Sequence, residues 1–136
     1  MNAAVVYFSR TGNTKRFAQA IAETAQAPLY DLESADTSKI ADVDLLIFGG
    51  PVEGASPTKE ALAYLANLPA ISGKKAMVFC TYRLFGNERQ MKAVEKELAG
   101  KGYEVVFKFS KKGMKPEKEA DFKKELAEVK KALEKL

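Results

Sequence analysis

Two kinds of apolar pattern alternate along the chain. Residues 3–8 (Ala-Ala-Val-Val-Tyr-Phe), 45–48 (Leu-Leu-Ile-Phe) and 76–80 (Ala-Met-Val-Phe-Cys) are short unbroken apolar runs, as strands buried on both faces require. Each run leads into a loop of Gly, Pro, Ser, Thr or Asn and then into apolar residues at helical spacing. These are Phe17, Ala18, Ile21, Ala22 and Ala25 after the first run, Leu62, Leu65 and Leu68 after the second, and Met91, Val94 and Leu98 after the third. Strands alternating with helices predict a parallel sheet covered on both faces.

Two further runs, Leu29-Tyr30-Asp31-Leu32 and Val105-Val106-Phe107-Lys108-Phe109, each admit a charge, as edge strands with one wet side do. With the first, third and fourth strands interior, short right-handed crossovers give the order 2-1-3-4-5. The predicted fold is therefore α/β, a doubly wound three-layer sandwich around a five-stranded parallel sheet. A last helix is expected from Pro116, with Glu117, Glu119 and Asp121 near its positive end and Lys130, Lys131 and Lys135 near its negative end. Its stripe of Phe122, Leu126, Val129, Leu133 and Leu136, at spacings of 4, 3, 4 and 3, is assigned to the sheet's own core rather than to a coiled-coil seam. No repeat or linker interrupts residues 1–136, which form one domain.

Composition adds mainly exclusions. The 136 residues are 46% apolar and 29% charged, the proportions of a globular protein. There is no histidine, which removes Ser/His/Asp triads, Cys/His pairs and histidine-ligated zinc. Cys80 is the single cysteine, so no disulfide can form within the chain. Residues 1–4 carry no basic leader and no stretch approaches the ~18 apolar residues of a membrane span, so a cytoplasmic protein without membrane contact is expected. The net charge of +4 is uneven: residues 1–82 carry 7 Lys/Arg against 8 Asp/Glu, and residues 83–136 carry 15 against 10. The late lysines interleave with glutamates along the last helix, the look of a solvated face, and nucleic acid is not expected as a partner.

In an open parallel sheet, ligands bind beyond the carboxyl ends of the strands where the order reverses, here between the first and third strands. The first loop there, Ser9-Arg10-Thr11-Gly12-Asn13-Thr14, holds three hydroxyls, an amide and a glycine just before a helix start. That is more than a cap needs and is suited to a phosphate held by helix N–H groups. The Gly-x4-Gly-Lys spacing of nucleotide triphosphatases and the Gly-x-Gly-x-x-Gly dinucleotide pattern are both absent. The second loop, residues 49–57, is rich in glycine, which suits close approach to a flat ligand, and it ends with Ser56 as expected N-cap and Pro57 as first helical residue. The third, from Cys80 to Asn87, offers Tyr82 and Phe85 as stacking aromatics. Cys80 is assigned a small apolar role, having no base to activate it. A phosphorylated receiver would need an Asp at the end of the third strand, where Gly49-Gly50 stands instead, with Asp42 and Asp44 at the opposite end.

The run from Val5 to Ile21, with Ser9-Arg10-Thr11-Gly12-Asn13-Thr14 at its centre, resembles the signature of the flavodoxin family, and the layout of the whole chain is similar to short-chain flavodoxins. The resemblance implies FMN, its 5′-phosphate in the loop at residues 9–14. The ring would pass between Pro51, Val52, Glu53 and Gly54 on one side and Thr81, Tyr82, Arg83, Phe85, Gly86 and Asn87 on the other. Gly54 would correspond to the glycine whose peptide flips toward reduced flavin, and Glu53 stands where many flavodoxins carry a ring-covering aromatic.

An electron carrier is thereby implied, monomeric, shuttling one or two electrons between redox proteins, with no catalytic side chain and no metal. The family is acidic around its flavin, whereas here Arg10 and Arg83 flank the site with Glu53 and Glu88 opposing them. A unit charge about 8 Å away at an effective dielectric of ~40 is worth about 1 kcal/mol, or roughly 40 mV. The second one-electron potential is therefore expected to be less negative than the family norm, and the partner to dock through an acidic patch. The alternatives are a small NAD(P)H-dependent FMN or quinone reductase, for which Glu53 leaves room over the ring, and a flavodoxin-like binding module that has lost flavin.

Overall fold

The computed structural model describes residues 2–112 and 122–136. Its elements are β1 (Ala3–Tyr7), α1 (Asn13–Ala25), β2 (Leu29–Asp31), α2 (Thr37–Ile40), β3 (Leu45–Pro51), α3 (Lys59–Ala66), β4 (Lys74–Tyr82), α4 (Asn87–Gly100), β5 (Tyr103–Lys112) and α5 (Lys123–Glu134). The strands form one parallel sheet in the order β2-β1-β3-β4-β5. The doubly wound α/β expectation is correct, including the two edges.

Because strand side chains alternate, the apolar runs feed two cores. Ala4, Val6, Phe8, Leu46, Phe48, Val78 and Cys80 face α3 and α4. Ala3, Val5, Tyr7, Leu45, Ile47, Met77 and Phe79 face α1 and α5. Phe17 of α1 anchors the second core, edge-on to Phe79 and Phe109 and stacked 4.9 Å from Phe122. The last apolar stripe thus packs on the chain's own core, with Val129 fully buried and Leu126, Leu133 and Leu136 around it. The residues proposed for the first turn of that helix, Pro116, Glu117, Glu119 and Asp121, lie outside the described residues.

Several local expectations are corrected. The third strand runs on through Gly49, Gly50 and Pro51, past the start expected for the second loop, and all three pair with β4. The reason is packing: a Cβ on Gly49 would sit 2.3 Å from Cε2 of Phe79, so only glycine admits that ring. Leu62 is 36% exposed, because α3 is short and turns Ala61, Tyr64 and Leu65 inward instead. The N-cap of α3 is Thr58, whose Oγ1 accepts from the N–H of Ala61. Ser56 cannot serve, because its N–H and C=O are paired with those of Glu53. The short α2, unforeseen, is capped by Asp36 and buries Ile40.

A bulge in β5 decides which core its aromatics join. Ala76 pairs with Val105 but Met77 with Phe107, so Val106 is the extra residue. One inserted residue reverses the facing of everything after it. Tyr103 and Val105 therefore belong to the α3/α4 core, while Phe107 and Phe109, of the same parity, join the α1/α5 core.

Candidate functional site

Three loops meet beyond the carboxyl ends of β1, β3 and β4. The first is shaped by Gly12, whose φ of 95° is left-handed and natural to glycine. Gly12 is also the N-cap of α1, and no side chain caps that helix. Ser9 Oγ instead accepts from the N–H of Gly12 at 3.0 Å, leaving the hydroxyl hydrogen free to donate outward. The space where a Cβ of Gly12 would project is empty to 4 Å. An uncapped helix start beside a hydroxyl, opening on empty space, has the donor set and the positive dipole end that a phosphate takes.

The other residues of this loop divide. Asn13 Oδ1 accepts from Arg16 at 2.7 Å, and Thr11 is exposed. Thr14 is buried, and its hydroxyl shares a 2.6 Å hydrogen bond with that of buried Thr81, tying the first loop to the end of β4. Arg10 reaches across to the second loop. Its Nε and one terminal nitrogen grip both carboxylate oxygens of Glu53, and that nitrogen also donates to Glu60 Oε1 at 2.9 Å. The guanidinium lies over the Phe8 ring, 5.0 Å from its centroid. Arg10 is held well above its usual pKa, chiefly by Glu53, while Glu60 is lowered, first by its own backbone N–H. The charge of Arg10 is thus matched by two carboxylates. Glu88 is no part of that pairing, and the anticipated positive flank reduces to Arg83.

Glu53 opens a tight turn. It exchanges backbone hydrogen bonds of 2.8 and 2.9 Å with Ser56, and both central residues, Gly54 (φ 56°) and Ala55 (φ 62°), are left-handed. For alanine that conformation costs about 1 kcal/mol. The turn leans on the third loop: a Cβ on Gly86 (φ 94°) would lie 2.9 Å from Cα of Ala55 and 3.1 Å from Val52 Cγ1. The N–H of Val52 also donates to the carbonyl of Thr81.

In the third loop, Thr81 and Tyr82 are the last residues of β4, and Tyr82 is half-buried. Arg83, Leu84 and Phe85 project, with Leu84 77% and Phe85 73% exposed. Asn87 turns its side chain toward β5, donating to Ser110 Oγ at 3.1 Å. A depression of about 420 Å³ lined by Gly86, Asn87, Glu88, Arg89 and Lys92 adjoins this loop. A larger one, about 540 Å³, lies among Gln19, Glu23, Gln26 and Leu29 at the far end of α1, away from the three loops.

Of the predicted residues, the structure gathers Ser9, Arg10, Gly12 and Thr14 with Val52, Glu53, Gly54, Thr81 and Gly86. Thr11, Tyr82, Arg83 and Phe85 stand at the rim, Pro51 is held in β3 beside Thr81, and the side chains of Asn13 and Asn87 are engaged with Arg16 and Ser110. Sequence reasoning missed Glu60 and Ala55. Glu60 carried one signal, an acid in the first turn of a helix; Ala55 carried none. Cys80 is fully buried, with burial pushing its thiol up to about 12, and its Sγ sits 3.8 Å from the carbonyl of Asn87. Burial favours the neutral thiol, so its contribution to stability is whole below the ordinary thiol range and is lost as pH climbs toward about 12. A thiol reagent at about pH 8 should therefore leave native Cys80 intact and modify it only in denaturant; rapid native labelling would contradict this burial. Among the described residues no cluster of acids or Cys80 could hold a metal, and no helix is long and apolar enough to cross a membrane.

Comparison with known proteins agrees with this fold. The family model of the flavodoxin domain matches residues 4–135, and the chain belongs to that family. An uncharacterised protein of Methanocaldococcus jannaschii is 28% identical over 115 residues, 83% of this chain and 76% of that protein. The flavodoxin FldP of Pseudomonas aeruginosa is 49% identical over 55 residues, 36% of this chain and 30% of FldP. The oxidised flavodoxin 1 of Bacillus cereus superposes with a TM-score of 0.80 over 99% of both chains, at 20% identity, a likeness of fold.

Proposed function

We propose that this protein binds FMN at the three loops and carries electrons between redox proteins. One observation bears most of the weight: α1 begins on a left-handed glycine with no side-chain cap, facing open space at the carboxyl end of β1. In this reading the 5′-phosphate sits in the loop of Ser9, Arg10, Thr11, Gly12, Asn13 and Thr14, held by its backbone N–H groups and hydroxyls. The Pro51–Gly54 stretch lines one side of the ring, and Thr81, Tyr82, Arg83, Phe85, Gly86 and Asn87 the other, with Tyr82 or Phe85 stacking. Bound FMN supplies one- and two-electron redox chemistry, and no side chain acts as acid or base.

The partner carries an acidic surface. With Arg10 matched by Glu53 and Glu60, exposed positive charge near the site includes that of Arg83, Arg89, Lys92 and Lys112, none of which forms an ion pair among the described residues. Exposed Leu84 and Phe85 lie within that group. A reductase is the second reading, because Glu53 is drawn toward Arg10 rather than spread over a ring.

The test is a visible spectrum of the purified protein with and without added FMN, followed by stepwise anaerobic reduction. Expected are a bound-flavin spectrum, two resolved one-electron steps, and no sustained oxidation of NADH or NADPH. A colourless protein that leaves FMN fluorescence unchanged overturns the proposal, and steady nicotinamide oxidation replaces it with the reductase.

A further inference from the structure

Arg10 spans the mouth of the site, tying a residue of the β1–α1 loop to partners 43 and 50 positions away. Its Nε and one terminal nitrogen are committed to Glu53 and Glu60, and its flat face rests on Phe8. Glu53 in turn begins the turn whose two central residues are both left-handed. A strained turn of this kind persists only where its surroundings over-determine it. Here the restraints are Arg10 on one side and the close contact with Gly86 on the other. Without Arg10, the carboxylates of Glu53 and Glu60 would be left beside each other with no cation between them, and their repulsion would drive the turn away from α3.

We propose that Arg10 is a positioning residue: its clasp on Glu53 and Glu60 sets the Glu53–Ser56 turn across the flavin crevice, and it retains flavin through that turn rather than by touching the phosphate. The proposal rests on the FMN reading and adds to it. Arg10 stands inside the loop assigned to the phosphate, where a positive charge would ordinarily be counted as a direct phosphate ligand. The geometry separates the two roles, since the guanidinium faces carboxylates and an aromatic ring. A lysine at this position would keep the charge but lose the two-armed grip on Glu53.

Riboflavin, which lacks the phosphate, distinguishes the roles. In Arg10→Gln, the affinities for FMN and for riboflavin should fall by the same factor, about fivefold for an exposed ion-pair network of this size. Glu53→Gln should give a similar loss, and the double variant little more than either alone. In the flavin-free protein, amide exchange at Glu53 and Ser56, followed by NMR, should accelerate in Arg10→Gln and only partly recover in Arg10→Lys. A loss confined to FMN would overturn the proposal and make Arg10 a phosphate ligand, and unchanged exchange at Glu53 and Ser56 would overturn the clasp itself. If the unsubstituted protein binds neither flavin, the proposed function fails, and the exchange measurement alone decides whether the clasp exists.

Discussion

Gly49→Ala should destabilise the protein by about 3 kcal/mol or more, at the upper end of what overpacking a core costs. The added methyl would lie 2.3 to 2.5 Å from three atoms of the Phe79 ring, and the ring has nowhere to go. Phe79 is fully buried, edge-on to Phe17 at 5.6 Å and stacked on Phe109 at 5.7 Å. The measurement is the urea midpoint at unchanged slope. Phe79→Leu in the same chain should recover part of the loss, since the two sites are in contact and their effects cannot add. A loss under about 1 kcal/mol together with lost flavin binding would reverse the assignment and return Gly49 to the ligand.

Gly12→Asp should do the opposite: little to the fold, much to the ligand. Nothing lies within 4 Å of the new Cβ, and aspartate tolerates a left-handed φ better than most residues, so the cost in stability is about 1 kcal/mol. Its carboxylate would stand at the start of α1, where the phosphate is proposed to bind. Two like charges about 5 Å apart at an effective dielectric of ~20 repel by about 3 kcal/mol, so FMN affinity should fall a hundredfold or more. Riboflavin affinity should change little. Equal losses for both flavins would mean that the substitution acts through the shape of the loop and that the phosphate is not seated there.

The contrast between these two glycines shows how far a sequence could be followed. Gly12 was legible because its neighbours are polar and a helix follows, so the chemistry and the backbone need coincide within six residues. Gly49 looked like part of the same kind of glycine-rich loop, yet it belongs to β3, and its reason is a ring 30 positions later. Ser56 and Pro57 carried the local signals of a helix start, but the hydrogen bonds between Glu53 and Ser56 had already taken the backbone of Ser56. Charges were misjudged in the same way. Arg10 counts as positive in any sequence tally; Glu60, which lies 50 residues away and pairs with it, is visible only in the fold.

What the sequence determined by itself is the order and kind of the five strands and of every helix but α2, and which two strands lie at the edges. Those follow from periodicity, from unbroken apolar runs and from turn chemistry, all of which act between residues a few positions apart. The tertiary structure alone decided the bulge that sends Phe107 and Phe109 to the other core, the Thr14–Thr81 bond and the hold of Arg10 on two carboxylates. Each joins residues whose separation along the chain carries no information about their distance in space, so parallel pairing and close packing had to bring them together first.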